Sequence, residues 1–150
     1  MTIFENILVP VDFSPHSAEA IRVASEIARQ SQGSITLVHV YDPLPYALPP
    51  EYVMYTPQQE GRMLAEFEKS LAASKRAAED AGALRVETRL QHGLPSTAIV
   101  DLARDGHFDS IVMGTHGRTG FGHALMGSVA ERVLRKAPCP VLTVKVTEKL

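Results

Sequence analysis

The sequence predicts one α/β domain built on a doubly wound sheet of five parallel strands with helices on both faces. Three observations carry that reading. Short continuous apolar runs such as Asn6–Val11 and Ser34–Tyr41 have the pattern of strands buried on both faces. Apolar residues at helical spacing separate them, so strand, helix and strand follow within about 35 residues as a right-handed βαβ unit. Finally, 150 residues at 45% hydrophobic content supply one sizeable core, and no internal repeat, low-complexity run or linker divides it.

Taken in order, the first strand is Asn6–Val11, and Ser14-Pro15 after it supplies a helix cap and a first-turn proline. Ala20, Ile21, Ala24, Ile27 and Ala28 form the apolar stripe of the first helix, with Gly33 expected in the left-handed conformation that ends it. Ser34–Tyr41 is the second strand. Residues 42–58 form a proline-rich insertion loop. Five of the ten prolines (43, 45, 49, 50 and 57) fall between Asp42 and Pro57, which excludes regular helix or central strand there, and the loop reads either as a flap beside a ligand or as a mobile insertion. Gln59–Ala81 is a long charged helix with Met63, Leu64, Phe67, Leu71 and Ala78 on its apolar side, ended by Gly82. Arg85–Gln91, with Val86, Thr88 and Leu90 alternating, reads as a half-exposed edge strand. Gly93 and Pro95 turn into a helix carrying Ile99, Val100, Leu102 and Ala103, closed by Gly106. The strand Ser110–Met113, a helix from about Ser128 to Lys136, a Pro138/Pro140 stop and the strand Val141–Val146 complete the chain.

Charge and composition exclude several functions. A net charge of -2 and a pI near 6.3 give no basic field for nucleic acid or an anionic membrane, so any phosphate binding must be local. The start MTIFENILVPVDFSP lacks a basic region and meets Glu5, Asn6 and Pro10 too soon for a signal sequence, and no run approaches about 18 apolar residues. A cytoplasmic protein without membrane insertion is expected. The lone Cys139 is expected to be a buried packing residue.

Gly114–Val129, GTHGRTGFGHALMGSV, holds five glycines between a strand and a helix. Glycine removes the Cβ that keeps an anion from the backbone, and the following helix offers free amides and a partial positive charge, so the stretch reads as a phosphate cradle. Ser128 suits the helix start, where its hydroxyl can cap an amide or turn to a phosphate. Familiar phosphate motifs do not fit: Gly122-x4-Gly127-Ser128 has Walker-like spacing without the lysine, and no G-x-G-x-x-G occurs. The spacing Gly114-x2-Gly117-x9-Gly127-Ser128 resembles the ATP-binding signature of the universal stress protein family. Ile7-Leu-Val-Pro-Val-Asp12, Leu37-Val-His-Val40, Gly93-x-Pro95, Met113-Gly-Thr-His-Gly117 and Pro138-Cys-Pro-Val-Leu-Thr-Val144 resemble that family in the same order along the whole chain.

The alternating pattern suits the strand order 3-2-1-4-5, and the resemblance implies the same Rossmann-like, adenine nucleotide alpha hydrolase-like sheet. Such sheets bind ligands outside the carboxyl ends of the strands at the switch point. Those ends carry Pro10-Val11-Asp12 and Gly114-Thr-His-Gly117. Amides of Gly117, Gly127, Ser128 and Val129, with the Ser128 hydroxyl, would hold phosphates. Asp12 suits ribose hydroxyls or a divalent ion (Mg2+ or Mn2+) carried by the phosphates, or else caps the Ser14 turn. Val40 reads as core from residue type; the resemblance implies that its backbone meets an adenine edge and that Val11 and Met113 touch the ring. His116 and Arg118 either add positive charge to the loop or are solvated.

Among the six histidines no metal-binding spacing occurs. His39 is expected as a hydrogen-bonded core residue, and His16, His92 and His107 at surface turns. The resemblance implies a regulatory module that binds ATP or another adenine nucleotide and is read by an unknown protein partner. An enzyme and a nucleotide-independent stress protein are the alternatives. No lysine or dedicated base accompanies the phosphate donors, so no catalytic residue is assigned and any hydrolysis is expected to be slow. The final strand, apolar on both faces until Lys145, is an edge expected to pair with its own copy in a homodimer, an arrangement the resemblance also implies.

Overall fold

The computed structural model describes residues 2–42, 56–116 and 126–146. Its elements alternate in order: β1 (Asn6–Pro10), α1 (Pro15–Ser31), β2 (Ser34–Tyr41), α2 (Pro57–Asp80), β3 (Val86–His92), α3 (Pro95–Asp105), β4 (Ser110–Gly114), α4 (Ser128–Lys136) and β5 (Val141–Val144). All strand pairs are parallel, and the order is β3-β2-β1-β4-β5, as expected from the sequence.

Strand alternation divides the apolar residues between two cores. Ile7, Val9, Ile35, Leu37 and Val112 face α1 and α2, where they meet Ala20, Ile21, Ala24, Ala28, Leu71 and Ala78. Leu8, Val38, Ile111 and Met113 face α3 and α4, meeting Ile99, Val100, Ala103, Ala130 and Val133. Central β1 is covered on both faces, which explains why Ile7, Leu8 and Val9 are all fully buried. Each such side chain contributes roughly 1.5–3 kcal/mol through the water-exposed area it removes. The small residues Ala20, Ala24 and Ala28 bring α1 close to the sheet.

Local chemistry sets the boundaries. Ser14 caps α1 by accepting from the Ser17 amide, and Pro15 follows in the first turn. At the other end Gln32, not Gly33, takes the left-handed conformation, with φ 58°. Glycine at 33 answers a different demand: a Cβ there would stand 2.3 Å from the Phe4 carbonyl oxygen. Pro57 belongs to the helix rather than to the preceding proline-rich segment, because it sits in the first turn where its missing N–H costs nothing. Thr56 and Gln59 form a reciprocal capping box around it. Gly82, just past α2, has φ 107° as a helix stop requires.

Two strands differ from expectation. β3 runs one residue later at each end, and Thr88 is exposed, because only Val86 and Leu90 meet the α2 core. β5 stops at Val144, two residues early, where the backbone of β4 gives out beside it. The chain start is held from a distance: the Asp109 carboxylate accepts from the amides of Phe4 (2.9 Å), Glu5 (2.9 Å) and Asn6 (2.8 Å) and from the Ser110 hydroxyl (2.8 Å). The expected flap over 42–58 lies, apart from Asp42 and Thr56–Gln58, outside the described residues, as does the 147–150 tail. Among the described residues no helix is long and apolar enough to cross a membrane.

Candidate functional site

The carboxyl ends of β1 and β4 lie side by side at the point where the strand order reverses. From β1 the chain passes through Pro10 and Val11 into a turn fixed by its own side chains. The Val11 amide donates to Val38 O (2.8 Å), and its carbonyl accepts from His39 Nδ1 (2.8 Å). His39 is thereby the hydrogen-bonded residue expected, packed between Phe13 and Phe67 with ring centroids 4.6 and 4.5 Å away. The Asp12 amide donates to Ser17 Oγ (3.1 Å), and Asp12 Oδ1 accepts from the Ser14 amide (3.0 Å). Asp12 therefore performs the capping role weighed for it, with its second carboxylate oxygen on the same half-buried group.

From β4 the chain passes through Gly114, Thr115 and His116. Thr115 is 6% exposed and ties the end of the strand on both sides: its amide donates to Val144 O (2.9 Å) and its carbonyl accepts from the Gly127 amide (2.6 Å). Its hydroxyl lies 3.0 Å from His116 Nδ1. Gly114 must be glycine here because a Cβ would stand 2.9 Å from the Cβ of His16 and 3.0 Å from its backbone. His16 itself is a correction. It is half-buried over the end of β4, with its ring 5.2 Å from that of His116, rather than a surface residue.

The start of α4 differs in detail from the expected cradle. Gly127 is the capping residue, with φ −71°, and Ser128 is the first helical residue, so the Ser128 hydroxyl caps nothing. Because the Gly127 amide is bonded to the Thr115 carbonyl, it ties the start of α4 to the end of β4 instead of facing an anion. No side chain caps the first turn, which leaves the amides after Gly127 to water or a ligand. Ser128 is exposed and Val129 half-buried against the α3/α4 core.

Pro10, Val11, Asp12, Met113, Gly114 and His116 thus lie at or just beyond the neighbouring carboxyl ends of β1 and β4, and Gly127–Val129 is fastened there through Thr115. Val40 and Met113 belong to the α3/α4 core and Val11 to the α1/α2 core, so these three reach the strand ends from opposite faces. Gly117 and Arg118 lie outside the described residues. Sequence reasoning missed Thr115 and His16. Thr115 carries a signal, a hydroxyl residue between two glycine positions; His16 carries none, since only the packing of α1 on β4 brings it in. Among the described residues no cluster of three metal-ligating side chains occurs.

Comparison with known proteins finds relatives that match nearly the whole chain. The model of the universal stress protein family matches residues 3–145. The universal stress protein MJ0531 of Methanocaldococcus jannaschii is 35% identical over 152 residues, covering 98% of this chain and 85% of that protein. Among solved structures, the hypothetical protein MJ0577 superposes with a TM-score of 0.83 at 29% identity, covering 99% of this chain and all of that one. A universal stress protein in complex with cAMP gives 0.75 at 26% identity, covering 97% and 100%. The universal stress protein of Archaeoglobus fulgidus in complex with dAMP gives 0.69 at 27% identity, covering 96% and 100%.

Proposed function

The chain belongs to the universal stress protein family, and from that premise we propose that it is a cytoplasmic, ATP-binding regulatory module acting in stress response. The observation that carries this reading is the joining of Gly127, at the mouth of α4, to Thr115 at the end of β4. That bond brings an uncapped helix start to the crevice between β1 and β4, where open parallel sheets take their ligands. Relatives crystallised with cAMP and dAMP support an adenine nucleotide as the ligand.

In this reading the amides of Gly117, Ser128 and Val129 hold the phosphates, with His116 and Arg118 adding positive charge. Pro10, Val11, Val40 and Met113 border the nucleoside. Asp12 meets ribose hydroxyls or a Mg2+ or Mn2+ ion that the phosphates carry. The protein is not an enzyme: the site offers phosphate donors without a Walker lysine, so hydrolysis is slower than the roughly 1–100 s⁻¹ of kinases and occupancy serves as the signal. A homodimer formed through β5, and a protein partner that reads the occupied state, complete the proposal.

Isothermal calorimetry with ATP and Mg2+ tests it. The wild type should bind, and Gly117→Val should weaken binding at least tenfold, ~1.4 kcal/mol, by placing a side chain where the backbone approaches the anion. Undiminished affinity in a folded Gly117→Val variant would overturn the cradle.

A further inference from the structure

We propose that His16, a residue of α1 outside the glycine segment, is a specificity-determining residue that senses the phosphate chain of the bound nucleotide. The proposal rests on the nucleotide reading above and deepens it.

Three observations carry it. The side chain and backbone of His16 lie against Gly114, so the residue sits where β4 ends and the glycine segment begins. Its imidazole stands 5.2 Å from that of His116, with the planes inclined at 48°, which places two rings at the same mouth of the crevice. Among the described residues, His16 Nδ1 is also the buried side-chain nitrogen or oxygen without a hydrogen-bond partner.

The third observation is the informative one. Buried polar atoms are nearly always paired, because desolvation is otherwise uncompensated. His39, on β2 next to Val11, obeys the rule, since its Nδ1 donates to Val11 O (2.8 Å). His16 breaks it beside Gly114, at the end of β4. A phosphate oxygen is an acceptor, and imidazole Nδ1 is a donor in the Nδ1–H tautomer and in the protonated ring. Bringing the two together gives the unpaired nitrogen its partner when the site fills.

Position then separates two parts of the ligand. His16 lies over β4, at the phosphate end of the proposed site, whereas the nucleoside end lies toward β2 and Val40. A contact at His16 should stabilise a triphosphate and leave the nucleoside unaffected. A residue that only supports the crevice would affect both equally.

The test is equilibrium binding of two probes, ATP and adenosine, to the full chain and to its His16→Ala and His16→Gln variants, with circular dichroism to verify folding. His16→Ala should weaken ATP by about fivefold or more, ~1 kcal/mol, with adenosine changed less than about twofold. His16→Gln, which keeps an N–H donor, should recover part of the loss. Equal losses for both probes, or an unchanged ATP affinity, would overturn the role of His16 while leaving the nucleotide site standing. A wild type that binds neither probe would overturn the nucleotide reading and this inference with it.

Discussion

Gly127 donates its amide hydrogen to the carbonyl of Thr115 across 2.6 Å, and this one bond joins the residue before α4 to the residue after β4. Both ends of the intervening segment are thereby held at the same point on the sheet. Gly127 has φ −71°, close to the angle a proline ring imposes, so Gly127→Pro removes the donor while sparing the backbone angle. We expect a loss of about 1 kcal/mol in urea denaturation, the net value of one such bond. An unchanged midpoint would mean that the bond contributes nothing to stability.

The Asp109 carboxylate gathers three consecutive amides of the chain start, those of Phe4, Glu5 and Asn6. Phe4 has φ 68°, a conformation that a non-glycine residue holds only when its surroundings insist. Asp109→Ala should cost about 2–3 kcal/mol, in line with hydrogen bonds to a charged acceptor. Asp109→Asn, which keeps one acceptor oxygen, should lose less. Hydrogen exchange at residues 4–6 should accelerate in the alanine variant before any change in α2; uniform acceleration would show a global effect instead.

Cys139 is half-buried between two prolines and packs on the α3/α4 core. Burial, and secondarily the Asp109 charge, push its thiol pKa above the ordinary value. A raised folded pKa means that the stability contribution is complete below the ordinary thiol pKa and is lost as pH climbs through the folded one. The effect therefore belongs to the alkaline side. Alkylation by iodoacetamide at pH 8 should be slower in the folded protein than in urea, because less thiolate is present and access is restricted. Equal rates would contradict the burial.

The proposed dimer has a specific seam. Ile111 donates to Pro140 O and Thr115 to Val144 O, so parallel alternation turns the Thr143 amide toward the open edge of β5. Leu142 (36% exposed) and Val146 (41%) add apolar surface at this edge. Thr143→Pro removes an outward donor without breaking the ladder to β4, which edge strands tolerate. Sedimentation at micromolar concentration should show a dimeric wild type and a folded, mainly monomeric variant. A fully dimeric Thr143→Pro would place the interface elsewhere.

Much of this architecture was legible because burial on both faces writes itself as continuous apolar runs. Ile7–Val9, Leu37-Val38 and Ile111–Met113 could hardly be anything but inner strands, and alternation with helices then limited the order. The start of α1 was equally readable, since Ser14-Pro15 acts locally. What escaped were demands made by distant chain segments. Gly33 looked like a helix stop, yet the neighbouring Phe4 carbonyl requires it, and Gln32 bears the strained angle. His16 looked like a turn residue until α1 was laid across β4. In the candidate site, the glycine spacing pointed to the carboxyl end of β4, but it could not reveal that the Gly127 amide is already taken by Thr115. Such a bond depends on where two strand ends come to rest.

The position of β1 has a consequence for how the chain is made. It precedes its neighbour β4 in the chain by three helices and two strands, yet it lies at the centre of the sheet. Its pairing with β2 is available early, Ile7 meeting Ile35. Its other edge must wait for Ser110 and Ile111, and the Asn6 amide finds Asp109 only 103 residues later. Until β4 is made, one side of the apolar run Ile7–Val9 therefore stands unpaired. Contacts so distant in sequence slow folding and leave sticky intermediates. The nascent β1-α1-β2 unit is thus the stage at which a chaperone would find the most to hold.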